Sequence, residues 1–166
     1  FDNQFGITTA TIANDGTIGA VSFLNEATGG GTIINITGSG ATTITSVTAG
    51  TADLVITSSG SGARTFTSLS SLDNATITLS GSGANVIAVL DVSDDATIDV
   101  SGMTGAITID ASDVEDTLTV TGSASVGFTS LTILEASQTA TVTLGVNGVT
   151  DHFITGEALV AATLSI

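Results

Sequence analysis

A glycine-centred turn recurs along this chain at nearly even intervals. Its members are Gly16, Gly38, Gly60, Gly81, Gly102, Gly122 and Gly145. Periods between about 20 and 50 residues are typical of stacked repeat units, none of which buries its apolar side alone. The period therefore predicts a solenoid of about seven coils of about 21 residues each.

Each turn follows a short run in which apolar and polar residues alternate, as they do in a half-buried β-strand. The apolar pairs are expected to form inward ladders, and they are Ile34/Ile36, Leu54/Ile56, Ile77/Leu79, Ile98/Val100, Leu118/Val120 and Val142/Leu144. The positions between them should point outward, namely Asn35, Val55, Thr78, Asp99, Thr119 and Thr143. Because β-branched residues favour strands and the chain has no proline, nothing interrupts the rungs of such a sheet.

A second apolar set follows each glycine with a three-residue step, as in Phe66 and Leu69. Alternate side chains of one straight strand point to opposite faces, so a three-residue step between buried positions indicates a corner. A third short strand is expected at residues 90–92, 109–111 and 131–133. Three strands and three corners per coil predict an all-β, right-handed, three-sided parallel β-helix, with a two-sided β-roll as the alternative.

The length suits one domain, and the solenoid is expected to span residues 1–166. Residues 1–10 and 151–166 are predicted to be off-repeat terminal segments, with 156–164 forming either a helical cap or a further strand. An open solenoid end exposes unpaired backbone groups and apolar core, which attract another chain unless a cap covers them. The apolar tail 158–166 favours pairing over capping, which predicts head-to-tail association of the chain with copies of itself.

The charge excludes several classes of partner. Sixteen acidic residues face a single basic one, Arg64, and the formal net charge is −15. Such a protein repels nucleic acid and anionic membranes, and no run approaches the roughly 18 apolar residues of a membrane-spanning helix. The chain has no cysteine, which excludes disulfides and thiolate metal sites. Its Thr-, Ser-, Gly- and Asp-rich composition is typical of an exported microbial protein, so we expect an extracellular or cell-surface location.

Half of the acidic residues lie in one short window, from Asp91 to Asp116. Seven of them are candidate metal ligands: Asp91, Asp94, Asp95, Asp110, Asp113, Glu115 and Asp116. A coil of about 21 residues would stack Asp73, Asp94 and Glu115, and likewise Asn74, Asp95 and Asp116, with an ambiguity of one residue because one glycine interval is shorter. Stacked carboxylates repel unless a cation lies between them or they splay into water. Ca²⁺ accepts carboxylate, carbonyl and water oxygens in flexible geometry, so calcium is the predicted ligand. A solvated acidic corner that keeps the protein soluble is the alternative.

The sequence offers no set of catalytic residues. His152 is the only imidazole, and its neighbours Asp151, Phe153 and Thr155 form neither a triad nor a metal set. A carboxylate pair such as Asp94 and Asp113 could carry out glycosidase-type acid/base chemistry, but a sugar-binding cleft usually offers aromatic platforms, and the chain contains no Trp or Tyr. We therefore expect a protein that is not an enzyme.

Thr-x-Thr pairs occur at Thr76/Thr78, Thr117/Thr119 and Thr141/Thr143, and they are reminiscent of the threonine arrays of ice-binding solenoids. Asn35, Asp53, Val55 and Asp99 interrupt the array, and threonine is also an ordinary strand residue. An ice-binding face, or a glycan-binding face of an adhesin, is thus the alternative to a purely structural role.

The stretches 97–112 and 115–122, which contain the motifs TIDVSG, AITIDAS and EDTLTVTG, resemble the repetitive regions of bacterial surface-layer proteins and large secreted adhesins. Those families are similar to repeats-in-toxin proteins in export and calcium use, although the glycine-rich nonapeptide of repeats-in-toxin proteins does not occur here. The resemblance implies an extracellular structural protein that assembles with itself into a surface layer or filament.

Overall fold

The computed structural model describes residues 2–3, 8–25, 30–133, 139–144, 153–155 and 161–165. Across these ranges the regular structure consists of parallel strands stacked as a β-solenoid, with no helix. The predicted fold class is therefore confirmed. It follows that these ranges contain no helix long and apolar enough to cross a membrane.

Side 1 of the solenoid is an eight-stranded parallel sheet that takes one strand from each coil. Its strands are β2 (Thr8–Ala13), β4 (Thr32–Thr37), β6 (Leu54–Ser58), β9 (Ala75–Gly81), β12 (Ala96–Met103), β15 (Thr117–Thr121), β17 (Thr139–Thr143) and β19 (Ala161–Ser165). Alternation of β-branched and polar residues makes each of these segments a strand with one buried and one outward face.

Sides 2 and 3 belong to one eleven-stranded sheet. Side 2 contains β7 (Arg64–Phe66), β10 (Asn85–Ile87), β13 (Ile107–Asp110), β16 (Phe128–Ile133) and β18 (Phe153–Thr155), and side 3 contains β8 (Leu69–Ser71), β11 (Leu90–Val92) and β14 (Asp113–Val114). Two longer strands, β3 (Ile18–Asn25) and β5 (Thr42–Thr48), run along both sides, and β1 (Asp2–Asn3) pairs with the end of β3. The first half of β5 pairs with β7 and its second half with β8.

The predicted corner separates side 2 from side 3. Phe66 and Leu69 are both fully buried, whereas Thr67 between them is exposed. The central coils thus have three strands each, as predicted. The third strand was placed wrongly in two coils, because 109–111 overlaps β13 and 131–133 lies in β16, both on side 2. In the first of these coils the third strand is β14, which pairs with β11.

The core is a narrow column of aliphatic side chains inside the three sides. All the predicted inward residues of side 1 from Ile34 to Val142 are buried, and Leu144 is half-buried. The register differs from the simplest stacking of the predicted pairs, since Ile34 lies beside Ile56 rather than Leu54. A shift of two residues keeps every side chain on its predicted face, because the strand period is two.

The register also gives the relative lengths of the coils. Thr9 pairs with Ile33, Ile33 pairs with Val55, and Val55 pairs with Thr76, so the second and the third of these coils are each shorter than the coil before them. The spacing along the solenoid is near 22 residues, close to the predicted coil of about 21 residues.

Glycine is required where the chain leaves side 1. Gly38, Gly60 and Gly81 have φ angles of 103°, 110° and 100°, a region that residues with a Cβ rarely adopt. They also stack closely, so that a Cβ on Gly60 would overlap the carbonyl oxygen of Gly38. The predicted partner of Gly38, Gly16, instead stacks on Gly40, because the first coil is longer than the second.

The terminal segments follow the repeat more closely than predicted. Within 151–166, β18 pairs with β16 and β19 pairs with β17, both at the general spacing of the solenoid. Within 1–10, β2 begins at Thr8 and pairs with β4. The prediction that both segments lie off the repeat is therefore wrong for these strands, and 161–165 forms a strand rather than a helical cap. Residues 156–160 lie outside the described ranges.

Candidate functional site

Two of the predicted calcium ligands face each other across adjacent strands. Asp91 of β11 and Asp113 of β14 are register partners on side 3, and both are exposed. Adjacent parallel strands lie about 4.8 Å apart, so two unscreened carboxylates at these positions repel each other. A divalent cation between them would relieve that repulsion and accept further oxygen ligands from water.

A second pair lies at the next corner. The pairings on either side of it, Val92 with Val114 and Ala96 with Leu118, share the same offset. Asp94 therefore lies beside Asp116, and Asp95 lies beside Thr117. The predicted stacks of Asp94 with Glu115 and of Asp95 with Asp116 are wrong, because this coil is one residue longer than predicted.

Other predicted ligands contact the backbone of the corners. Asp95 Oδ1 accepts a hydrogen bond of 3.2 Å from the amide of Thr117, and Asp110 Oδ1 accepts one of 3.1 Å from the amide of Ser112. Glu115 is exposed, and its amide donates to the carbonyl oxygen of Val92 at 2.9 Å.

Within the described ranges no three carboxylate or imidazole groups converge on one point. The structure thus places Asp91 beside Asp113 and Asp94 beside Asp116. Asp95, Asp110 and Glu115 lie separately at the corners. His152 lies outside these ranges.

The outward face of side 1 carries two columns of aligned residues. The first column is Thr9, Ile33, Val55, Thr76, Thr97, Thr119, Thr141 and Thr163, and the second is Thr11, Asn35, Thr57, Thr78, Asp99, Thr121, Thr143 and Ser165. The predicted pair Thr117/Thr119 is displaced along its strand, since the aligned row is Thr119 with Thr121. The register therefore aligns threonine without interruption from Thr76 to Thr163 in the first column, whereas Asn35 and Asp99 interrupt the second.

The N-terminal end of the solenoid is open among the described residues. The outer edge of β2 has no strand partner there, whereas its other edge pairs with β4. A cavity of about 350 Å³ opens at this end and is lined by Thr9, Ala10, Thr11, Ile12, Ile18, Val21 and Phe23. Ile12 is only half-buried, whereas its ladder partner Ile36 in the next coil is fully buried.

The single cation of the chain lies inside the solenoid. Arg64 begins β7 with its side chain 2% exposed, and its guanidinium donates to the carbonyl oxygens of Gly38, Gly40, Ser59 and Ala63. Burial lowers the pKa of Arg64, but guanidinium remains charged at neutral pH. The sequence signal for this role was weak, since only the position of Arg64 just after a Gly-Ser-Gly corner sets it apart. All surface charge of the described residues is accordingly negative.

The chain was compared with protein families, with curated proteins and with solved structures. No family model matches it, and neither a curated protein nor a solved structure shows significant similarity.

Proposed function

We propose that this protein is an extracellular structural module that assembles end to end with copies of itself, as a subunit of a surface layer or filament. The observation that supports this proposal is the open N-terminal end. It combines a strand edge that lacks a partner among the described residues with a half-buried Ile12, whose ladder partner Ile36 in the next coil is fully buried.

The direction of the N–H and C=O groups of β2 determines which kind of strand can pair with this open end. The amide of Asn14 donates a hydrogen bond to the carbonyl oxygen of Thr37 in the next coil. Because backbone groups alternate in direction along a strand, the amides of Ile12 and Ala10 also point toward the next coil. The N–H and C=O groups of Thr9, Thr11 and Ala13 then point toward the open side. A parallel strand of another chain would find these groups at the same spacing as β4 finds the groups on the opposite edge.

The C-terminal strand of side 1 offers a matching edge. β19 pairs with β17 through one edge, and its other edge has no partner in the described part of the chain. Because all strands of side 1 are parallel and share one register, β19 of one copy can precede β2 of the next in the same direction. A contact of this kind joins two different surfaces and does not close on itself, so it generates a filament.

The composition supports an extracellular location, since the chain has no cysteine, no lysine and a net charge of −15. The two acid pairs, Asp91 with Asp113 and Asp94 with Asp116, support calcium as an ion that the folded protein binds there. Millimolar calcium is an extracellular condition, and weak paired-carboxylate sites are filled only at such concentrations.

The test uses proline at the open edge. Thr11→Pro removes an amide that points away from the solenoid, which edge strands tolerate, but it blocks the addition of another strand. Light scattering and negative-stain microscopy over a concentration series should show filaments for the parent and monomers for Thr11→Pro, with unchanged circular dichroism. Ile12→Pro is the control, because it removes an amide bonded within the solenoid and should lower the melting temperature instead.

A parent protein that stays monomeric at high concentration contradicts the proposal. Filaments of Thr11→Pro as long and as stable as those of the parent would exclude assembly through β2.

A further inference from the structure

The outward face of side 1 is a regular lattice of small β-branched and hydroxyl side chains. Threonine occupies six of eight positions in its first column and five of eight in its second. Five consecutive coils contribute threonine to the first column, from Thr76 to Thr163. The strand register is continuous along both columns from β2 to β19. The one register shift of side 1 lies beyond Asp99, which is the last residue that β12 contributes to the columns.

The backbone fixes the dimensions of this lattice. Neighbouring strands lie about 4.8 Å apart, and residues i and i+2 of one strand are about 6.6 Å apart. Threonine branches at Cβ and is stiff at χ1, so each side chain holds a methyl and a hydroxyl group in a nearly fixed position. The face therefore presents a rectangular array of methyl and hydroxyl groups with little conformational entropy to lose on binding.

The charge of this face differs from that of the rest of the protein. Asp99 is the only ionisable residue among the sixteen positions, although the net charge of the chain is −15. A cationic partner would be expected to meet the acidic corners rather than this face. An uncharged, periodic and extended partner fits it better, because it matches the lattice without requiring counter-charges.

We propose that the outward face of side 1 binds the surface of ice crystals. Hexagonal ice has planes on which oxygen atoms repeat in two perpendicular directions at spacings comparable to those of this lattice. The threonine methyl groups order water around them, and the hydroxyl groups hydrogen-bond to that water, so the hydrated face continues into the crystal. This inference does not depend on head-to-tail assembly, since a single chain already carries the two columns.

A crystalline polysaccharide is the competing partner, but sugar rings are usually held against aromatic side chains. The chain has no Trp or Tyr. Of its phenylalanines, Phe23, Phe66 and Phe128 are buried in the core. No aromatic residue occupies the sixteen positions of the two columns, so the face lacks the platform that sugar binding requires.

The experiment places one bulky side chain in the middle of the lattice. Thr119→Tyr introduces a ring between Thr97 and Thr141 of the first column, which prevents close approach of a flat crystal. Thr108→Tyr is the matched control, because Thr108 points outward from the short strand β13 on side 2. A third variant, Thr119→Val, retains the shape and removes only the hydroxyl group.

The readouts are thermal hysteresis and the incorporation of fluorescently labelled protein into growing ice. The parent and Thr108→Tyr should inhibit ice growth equally, Thr119→Tyr should lose most of this activity, and Thr119→Val should lose part of it. Circular dichroism must give the same melting temperature for all four proteins, and any variant that melts earlier is replaced by the same change at Thr97.

No thermal hysteresis from the parent overturns the proposal. Equal losses in Thr119→Tyr and Thr108→Tyr also overturn it, because the effect would then not belong to side 1. Retention on insoluble chitin or cellulose that Thr119→Tyr abolishes, without any effect on ice, would assign the face to a polysaccharide instead.

Discussion

Arg64 Nη2 donates a hydrogen bond of 2.9 Å to the carbonyl oxygen of Gly38, which lies in the preceding coil. The second terminal nitrogen of the guanidinium, Nη1, donates to the carbonyl oxygen of Gly40. Both glycines belong to a corner at which the chain leaves side 1, and neither lies in a strand. The guanidinium therefore hydrogen-bonds to carbonyl groups of a turn that strand pairing does not hold in place. The only cation of an acidic protein is thus used to fix a corner of its core.

The first prediction concerns that cation. Arg64→Lys should destabilise the protein by about 1–3 kcal/mol, because one ammonium group cannot reproduce the fork of a guanidinium and leaves buried carbonyl groups unsatisfied. Thr65→Ala, on the outward face of the same strand, should change stability by less than about 1 kcal/mol. The measurement is the urea midpoint of unfolding, and equal midpoints for the two variants contradict a structural role for Arg64.

The second prediction tests the faces of side 1. Ile98 is fully buried, whereas its neighbour Thr97 is exposed. Ile98→Asp buries an unpaired carboxylate and should cost several kcal/mol, enough to abolish folding of a marginally stable domain. Thr97→Asp should cost under about 1 kcal/mol, since the new carboxylate reaches water between two threonines. Similar losses in melting temperature would show that the face assignment is wrong.

The third prediction compares two glycines. Gly60 has a φ of 110° and no space for a Cβ, whereas Gly19 has no atom within 4 Å of the position that a Cβ would take. Gly60→Ala should therefore destabilise the protein by more than about 2 kcal/mol, through both the disfavoured φ and the close contact with Gly38. Gly19→Ala should be neutral or slightly stabilising, because alanine restricts the unfolded chain. Thermal melts of the two variants decide between these effects.

The fourth prediction concerns calcium. Millimolar CaCl₂ should raise the melting temperature of the parent by several degrees, because an ion that binds only the folded state shifts the equilibrium toward it. The double variant Asp91→Asn with Asp113→Asn should lose much of this increase, whereas Asp99→Asn should retain it. NaCl at equal ionic strength is the control for screening of the net negative charge. An unchanged response of the double variant would identify these acids as a solvated surface.

The fifth prediction concerns acid pH. The amide and the hydroxyl group of Ser39 donate to Asp15 Oδ1, and these bonds lower the pKa of Asp15 from its usual 3.8. A carboxyl group with a lowered folded pKa contributes stability that is present above the unfolded pKa and is lost as pH falls through the folded value. Asp15→Asn should therefore flatten the dependence of melting temperature on pH below about pH 4. A profile parallel to that of the parent contradicts the contribution of Asp15.

The sequence alone determined the strand faces. Ile34, Ile56, Ile77 and Ile98 are buried as predicted, because the alternation of side chains along a strand is a local property. The corner between Phe66 and Leu69 was predictable for the same reason, since two buried residues three positions apart cannot lie on one straight strand.

Only the tertiary structure decided which residues lie side by side. The coils differ in length, and additional residues produce register shifts inside strands, as after Asp99 in β12 and between Phe128 and Ser130 in β16, which the alternation of the sequence did not reveal. One extra residue moves Asp116 beside Asp94 in place of Glu115, and a shift along the strand aligns Thr121 with Thr143. A shift of two residues leaves every side chain on its face, so the alternation within one strand does not specify the register, which depends on the turns and on packing between residues a whole coil apart.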